Sequence, residues 1–307
     1  MENSVKEIGG YFGLELRKGI EYYPDAIKLN SARNCLKYIL LAQKPTKIYM
    51  PYYMDKSMTE DSLREMVEYG FYNIDEKFEI AGDLVVKEGE KVVYNNSYSS
   101  KNKYIEKLAK KYGDKLIVDN THSFFSKPLP GIDTLYSLGS KYFGVPGGGY
   151  LFTTKTIDTE FEQDYSHAKM GHILGRTDKT ASDFFGEFQE SKKRRNNQPI
   201  RHMSQITRSI LASIDYETAK TVRERNFYYL HGFLGRWNEI KLDFSSLEGP
   251  MFYPLLVKKD NLHQTLLSTR FMCPRFGRRC LTQVGPMNLR KWYPPTCSHC
   301  RSISAIP

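Results

Sequence analysis

Lys141 has the type and setting for covalent carbonyl chemistry. It lies in Tyr136-Ser137-Leu138-Gly139-Ser140-Lys141-Tyr142-Phe143-Gly144-Val145-Pro146-Gly147-Gly148-Gly149-Tyr150, a small-residue loop followed by a glycine triplet and a strand-like run. An amine held there can condense with an aldehyde to form a Schiff base, and glycine lets a planar ring approach where a side chain would collide. Asp119 stands 22 residues earlier, in Ile117-Val118-Asp119-Asn120-Thr121-His122-Ser123. A carboxylate held against a pyridine-type nitrogen keeps that ring protonated and makes it an electron sink, with His122 as a neighbour in the same cleft. The alternatives are that Asp119 caps a turn and His122 is a satisfied core histidine. A third segment, Leu29-Asn30-Ser31-Ala32-Arg33-Asn34, is a small polar loop opening a helix at about Cys35. Its free N–H groups suit a phosphate, although Ser31 also fits a plain N-cap.

These residues need elements to position them. Lys47-Ile48-Tyr49-Met50, Leu84-Val85-Val86, Val92-Val93-Tyr94 and Leu116-Ile117-Val118 read as strands, and Ser57 to Tyr69 and Lys101 to Tyr112 as helices. Strands alternating with helices of this length predict an α/β fold, a mostly parallel sheet with helices on both faces. In such sheets the site lies at the carboxyl ends of the strands, the position of Asp119 and its loop. Ser204 to Arg225 reads as the clearest long helix, and a smaller second domain is expected from about residue 215.

Charge and hydropathy narrow the function classes. The chain has 307 residues, 45 Lys and Arg, 35 Asp and Glu, and a net charge of +10. Seven of those ten positive charges fall in residues 261–307, a stretch without a single Asp or Glu. The body up to residue 260 is nearly neutral, so the excess charge does not mark it as a nucleic-acid binder. No apolar run reaches the roughly 18 residues a membrane span needs. The first residues, Met1-Glu2-Asn3-Ser4, lack a signal-peptide pattern, so a cytoplasmic protein is expected.

The order of polar phosphate loop, Asp-x-x-His, then Ser-Lys before Gly-Gly resembles the DegT/DnrJ/EryC1/StrS sugar aminotransferases, which are fold-type I enzymes dependent on pyridoxal phosphate. The likeness runs from Gly9-Gly10-Tyr11-Phe12-Gly13-Leu14-Glu15, within residues 8 to about 266. It implies Lys141 as the Schiff-base lysine and proton shuttle, Asp119 as the pyridinium partner and His122 beside the ring hydroxyl. It also implies that Ser31, Ala32, Arg33 and Ser137 face the phosphate, and that Tyr52 or Tyr53 stacks on the ring. Asn197 is the residue expected to reach a neighbouring subunit's site, so a homodimer is implied. The implied reaction moves an amino group from an amino acid, glutamate being the expected donor, to a keto sugar, nucleotide-linked, for cell-surface polysaccharide biosynthesis. The implied layout is a large domain over 1–214, with residues 1–20 expected to pack with the small domain, and the start of a small C-terminal α+β domain over 215–266. Two details depart from the family pattern. Ser31-Ala32 replaces a Gly-Ser/Thr pair, and Ser137, four residues before the lysine, replaces a His-x-x-Lys spacing.

The likeness ends where the composition breaks, and residues 267–307 form an atypical basic, Cys-rich tail. Members of the family continue with a segment like Tyr-Val-Pro-Thr-Tyr/Phe-Trp and finish near a Leu-Pro-x-Asp-x-Arg-Tyr motif. Phe271 to Gly277 can be encoded TTT ATG TGC CCA CGT TTT GGA, and joining each third base to the next two gives Tyr-Val-Pro-Thr-Phe-Trp. The same shift over Thr296 to Pro307 can give Leu-Leu-Pro-Leu-Pro-Leu-Asp-Gln-Arg-Tyr-Thr. The tail is therefore expected to be out of frame, an expectation that sequencing of the coding DNA checks. A zinc site on Cys273, Cys280, Cys297 and Cys300 is the rival account, with one pair at ribbon spacing. The altered tail also motivates an alternative in which the fold persists with impaired catalysis or none.

Overall fold

Seven strands form one sheet in the order β1-β7-β6-β5-β4-β2-β3. They are β1 (Ile27–Leu29), β2 (Lys47–Pro51), β3 (Glu68–Tyr72), β4 (Glu90–Asn95), β5 (Leu116–Asp119), β6 (Asp133–Ser137) and β7 (Gly149–Phe152). Strands β2 to β6 run parallel, while β7 pairs antiparallel with both β6 and β1. The structure, a computed structural model, describes residues 8–54, 58, 61–139, 141–241, 243–257, 262–268, 275–276 and 303–306.

Strand alternation puts helices on both faces. Val93, Ile117, Leu135 and Leu151 point to one face and pack with Cys35, Leu36 and Ile39 of α1 (Ala32–Gln43). Their neighbours Val92, Tyr94, Leu116 and Val118 point to the other, against Ile105, Leu108 and Tyr112 of α3 (Asn102–Tyr112). That period of two is what a sheet buried on both sides requires. Further along the second face, Tyr23, Phe124, Tyr136, Tyr142, Tyr150 and Tyr216 form an aromatic core. It includes the near-parallel Phe124–Tyr216 pair, 5.8 Å between centroids. A separate cluster of Phe227, Tyr253 and Leu255 joins α7 (Tyr216–Leu234) to β8 (Tyr253–Leu255). Strand β8 lies in a three-stranded antiparallel sheet, order β8-β10-β9, with β9 (Arg275–Phe276) and β10 (Ile303–Ile306). The remaining described α-helices are α2 (Asp61–Arg64), α4 (Gly171–Asp178), α5 (Phe185–Arg194), α6 (Gln205–Ala212) and α8 (Leu262–Ser268).

Three expected elements come out differently. The segment Ser57 to Tyr69 is not one helix: among its described residues the α-helix is confined to Asp61–Arg64, and Glu68–Tyr72 is β3, drawn into the sheet by parallel pairing with β2. Leu84 to Val86 forms no strand, because side chains take its carbonyls: the Tyr112 hydroxyl donates to Leu84 O and Lys115 Nζ to Val86 O. Ser204 to Arg225 is two helices, since the Asp215 carboxylate accepts the Thr218 N–H and caps a new start for α7. The four tail cysteines, and with them the zinc and reading-frame expectations, lie outside the described residues apart from the β9 and β10 positions.

The sheet edge opposite Asp119 holds a buried ion pair. Lys91 Nζ lies 3.0 Å from Asp133 Oδ2, with the side chains 8% and 1% exposed. Asp133 also accepts from Gln43 Nε2, the Thr153 hydroxyl and the Thr154 N–H, while Lys91 donates to Asp114 O. Removing one member of a buried pair costs about 3–5 kcal/mol, because the survivor stays desolvated. Asp133 has three further donors to satisfy it and Lys91 a single further acceptor. Asp133→Ala is therefore expected at the upper end of that range and Lys91→Met at the lower. Urea denaturation of the two variants checks the order; equal stability of both with the parent would refute it.

Candidate active site

Every strand that contributes to the site ends, or begins, at one edge of the sheet. Strands β4, β5 and β6 deliver Asn95, Asp119 and Ser137 there by their carboxyl ends. The antiparallel β7 starts at Gly149 on the same edge, and β1 ends there at Leu29, opposite Gly149. Ser31 at the head of α1 bridges Gly148, and the Gly148 N–H donates to Asn30 O at 2.9 Å. The three segments singled out by residue type are thus neighbours in space, although they span residues 29 to 150 of the chain.

The glycines meet protein rather than open space. A Cβ on Gly149 would stand 2.7 Å from Ala32 N and from Ser31 C, and one on Gly139 would stand 2.8 Å from Gly147 Cα. Gly148 has φ +104, in the region other residues avoid. To the expected room for a planar ring the structure adds a packing reason: glycine lets β7 lie directly on the first turn of α1 and lets the Lys141 loop lie on Gly147.

Asp119 is 2% exposed, and its Oδ1 accepts the Thr121 N–H at 2.9 Å. The alternative reading as a turn cap is thus part of its job. Its carboxylate is close enough to Cys35 in α1 to help, after burial, to push that thiol up from its usual range. This places the carboxylate beside the first turns of α1. His122 is buried as well, with the Tyr98 ring near-parallel to the imidazole at 5.8 Å. Lys141 is partly exposed, on the turn after β6, with its N–H directed to Leu138 O.

At the phosphate loop, the Ser31 hydroxyl accepts the Asn34 N–H and so serves as the N-cap. Ala32 is buried in the core under α1. Arg33 reaches out from the helix, donating to Asn196 Oδ1 at 2.8 Å and to Arg195 O at 2.6 Å. Burial and the neighbouring Arg33 charge both lower the Arg195 pKa. Asn197, expected to serve a neighbouring subunit, follows directly in a left-handed conformation, φ +51. Its segment lies beside α1 of its own chain.

The two candidate stacking tyrosines separate. Tyr52 stacks on Phe71 at the outer strand, 5.2 Å between centroids. Tyr53 turns inward, its hydroxyl 2.8 Å from that of Tyr98, the residue stacked on His122. Ser137 is partly buried at the end of β6. The site also contains residues not foreseen. Tyr98 and Ser99 both sit at φ +58 after β4. The Ser99 N–H donates to the Ser123 hydroxyl, which itself donates to Asn96 O. The rule that sites gather at strand carboxyl ends, applied to β4 as it was to β5, would have pointed to the run Asn95-Asn96-Ser97-Tyr98-Ser99-Ser100. Two surface hollows of about 530 and 400 Å³ lie elsewhere, around the Leu129–Ile132 turn at the opposite edge of the sheet. The candidate site is instead the strand ends, where Asp119, His122 and Lys141 gather.

The donor set fits pyridoxal phosphate. A buried carboxylate suits a pyridinium nitrogen, an amine in a tight loop suits an aldehyde, and a helix head with an arginine beside it suits a phosphate. Among the described residues no cluster of His, Cys, Asp and Glu has the makings of a metal site, and no helix is long and apolar enough to cross a membrane.

No family model matches the sequence, and no curated protein does. Solved structures do. A DegT DnrJ EryC1 StrS aminotransferase from Brucella abortus is 14% identical, with 91% of this chain and 80% of that one covered at a TM-score of 0.55. NtdA from Bacillus subtilis, solved with bound cofactor PMP, is 16% identical, covering 92% and 68% at 0.58. DesI, solved in the presence of its TDP-sugar product, is 15% identical, covering 92% and 75% at 0.57. At such identities the likeness establishes the fold, and the chain carries the mostly parallel fold-type I architecture of the DegT/DnrJ/EryC1/StrS-type sugar aminotransferases.

Proposed function

We propose that this chain is a pyridoxal-phosphate-dependent aminotransferase that moves an amino group from an amino acid, glutamate being the expected donor, to a keto sugar. The observation that carries this is the meeting of Asp119, His122, the Lys141 loop and the head of α1 on one sheet edge. The PMP of NtdA and the TDP-sugar product of DesI support the cofactor and a nucleotide-linked sugar by analogy of fold. A role in cell-surface polysaccharide synthesis, a cytoplasmic location and a homodimer in which Asn197 serves the partner's site belong to the same proposal.

Each residue has a part in it. Pyridoxal phosphate, when bound, supplies the electron sink that makes the donor's Cα–H acidic. Lys141 would hold the cofactor and, once displaced by substrate amine, carry the proton to and from Cα as general base and acid. Asp119, charged and buried, would keep the ring nitrogen protonated. His122, fixed by the Tyr98 ring, would stand beside the ring. The N–H groups at the head of α1, with Arg33, would receive the phosphate, its charge favoured by the helix dipole.

The test is a spectrum of the purified chain with pyridoxal phosphate, before and after glutamate and again after a nucleotide-linked keto sugar. A visible band is expected on adding the cofactor, bleached by the donor and restored by the acceptor. A chain that gives no band overturns the proposal. A band that forms but never responds to donor or acceptor favours the alternative, a fold retained without turnover, for which the carboxylate-free tail is the motive.

A further inference from the structure

Lys141 has a flexible side chain, so the protein controls its amine chiefly by fixing the backbone from which it springs. The residue after it is held unusually firmly. Tyr142 is 5% exposed, and three groups from separate parts of the chain grip it. Arg223 of α7 donates from Nη2 to Tyr142 O at 2.7 Å, and its guanidinium lies over the Tyr142 ring at 4.7 Å from the centroid. The same arginine reaches Met251 O through Nη1. On the other side, the Tyr142 hydroxyl donates to His122 O at 2.8 Å. The Ser99 hydroxyl donates to that carbonyl too and stands 3.4 Å from the Tyr142 oxygen. Burial pushes the Tyr142 phenol up to about 12, so it stays a donor across the physiological range.

The pattern differs from ordinary core packing. A guanidinium drawn largely out of water, its pKa lowered by that burial, spends its donors on main-chain carbonyls of two loops. Desolvating a charge is costly, and one arginine both stacking and donating gains planarity and direction that a lysine lacks. The result ties together the start of the second domain, the residue next to Lys141, the His122 loop and the left-handed turn at Tyr98 and Ser99.

We propose that Arg223 and Tyr142 are positioning residues for Lys141, holding its backbone at a fixed distance from the Asp119–His122 loop so that its amine meets the cofactor carbonyl. This rests on the aminotransferase reading above. Neither residue touches the reacting atoms in it. Consecutive Cα atoms are about 3.8 Å apart, so release of Tyr142 moves the root of Lys141 directly, and a displacement near 1 Å costs up to roughly a hundredfold in such chemistry.

The experiment follows condensation of Lys141 Nζ with the pyridoxal phosphate aldehyde, which forms one C=N bond and releases water. The full chain is mixed with the cofactor, and the rate of appearance of the visible band and the pH midpoint of its titration are recorded beside the melting temperature. Arg223→Met is expected to slow band formation by roughly tenfold to a hundredfold and to displace the pH midpoint. Arg223→Lys should recover part of the rate, since it restores one donor but not the stacked plane. Tyr142→Phe keeps the ring and removes the bond to His122 O, so it should slow the band about threefold to tenfold in a chain that melts like the parent. If Arg223→Met does not fold, Tyr142→Phe decides alone. Variants that fold and give the parental rate and midpoint overturn the positioning role while leaving the aminotransferase reading intact. A parent chain that gives no band overturns both.

Discussion

Lys141→Ala is expected to abolish the visible cofactor band and to lower amino transfer by at least roughly 10²–10⁴-fold, the share that proton transfer by a placed side chain supplies. In barrier terms that is about 3–5 kcal/mol, before counting the lost covalent tether. Lysine 141 is partly exposed on a turn, and its backbone is fixed by Gly139 against Gly147 and by the clamp on Tyr142. Its side chain is partly exposed at the surface of a turn, so the variant is expected to fold, and its melting curve reports whether it does. The measurement is a pair: cofactor spectrum and melting curve on one preparation. A variant that retains the band would show another lysine as the attachment point. A variant that loses both band and fold would be uninformative about chemistry, and Lys141→Arg, with its charge kept and its amine gone, then serves in its place. Added small amines should restore part of the turnover in the alanine variant, because the missing function is a base of the right size at one position.

Much of this arrangement was legible in the residues alone, and the reasons differ by element. Strand β5 and Asp119 were readable because Leu116-Ile117-Val118 is a short, β-branched apolar run ending in a carboxylate, a pattern that suits a fully buried strand and its carboxyl-end loop. Helix α3 was readable from its spacing of Ile105, Leu108 and Ala109. Strand β3 was not, because Glu68-Tyr69-Gly70-Phe71-Tyr72 borders a helix-like stretch and becomes a strand only by pairing with β2, which is not a local property. The break between α6 and α7 was hidden for the opposite reason. Asp215 and Ser213 are tolerable inside a helix, and only their capping bonds reveal the stop.

The candidate site divides in the same way. Lys141, Asp119 and His122 could be proposed from the sequence because residue type and order carry the chemistry they would do. Arg223 and Tyr98 were not, since a helix arginine and a loop tyrosine are unremarkable until the fold brings one onto Tyr142 and the other onto His122. The glycine triplet shows a further limit. It drew the eye to the candidate site for room beside a ring, while the contacts that demand glycine at Gly149 come from the packing of β7 on α1.

Asp119→Asn separates electrostatics from structure more sharply than any other substitution in the site. Asparagine keeps the shape of the side chain and an oxygen to accept the Thr121 N–H, which lies 2.9 Å from Oδ1. It removes a charge from a position only 2% exposed, where desolvation opposes the ionised form. Melting of the cofactor-free chain should therefore not fall. The charge is what a pyridinium nitrogen needs, so the loss belongs to the transition state: turnover should drop by roughly 10²–10³-fold, the usual effect of removing one preorganised electrostatic group. The band should still form, because Lys141 is untouched, but the pH dependence of its position should move once the ring nitrogen is no longer held protonated. Asp119→Glu is the companion test. It restores the charge on a side chain one methylene longer, at a position only 2% exposed, and overpacking there costs about 1–3 kcal/mol. It should thus lose stability where asparagine does not, and recover less activity than its charge alone would give. If Asp119→Asn instead melts far below the parent while turning over normally, the carboxylate is a turn cap and no more, and the ring-nitrogen role fails on both counts.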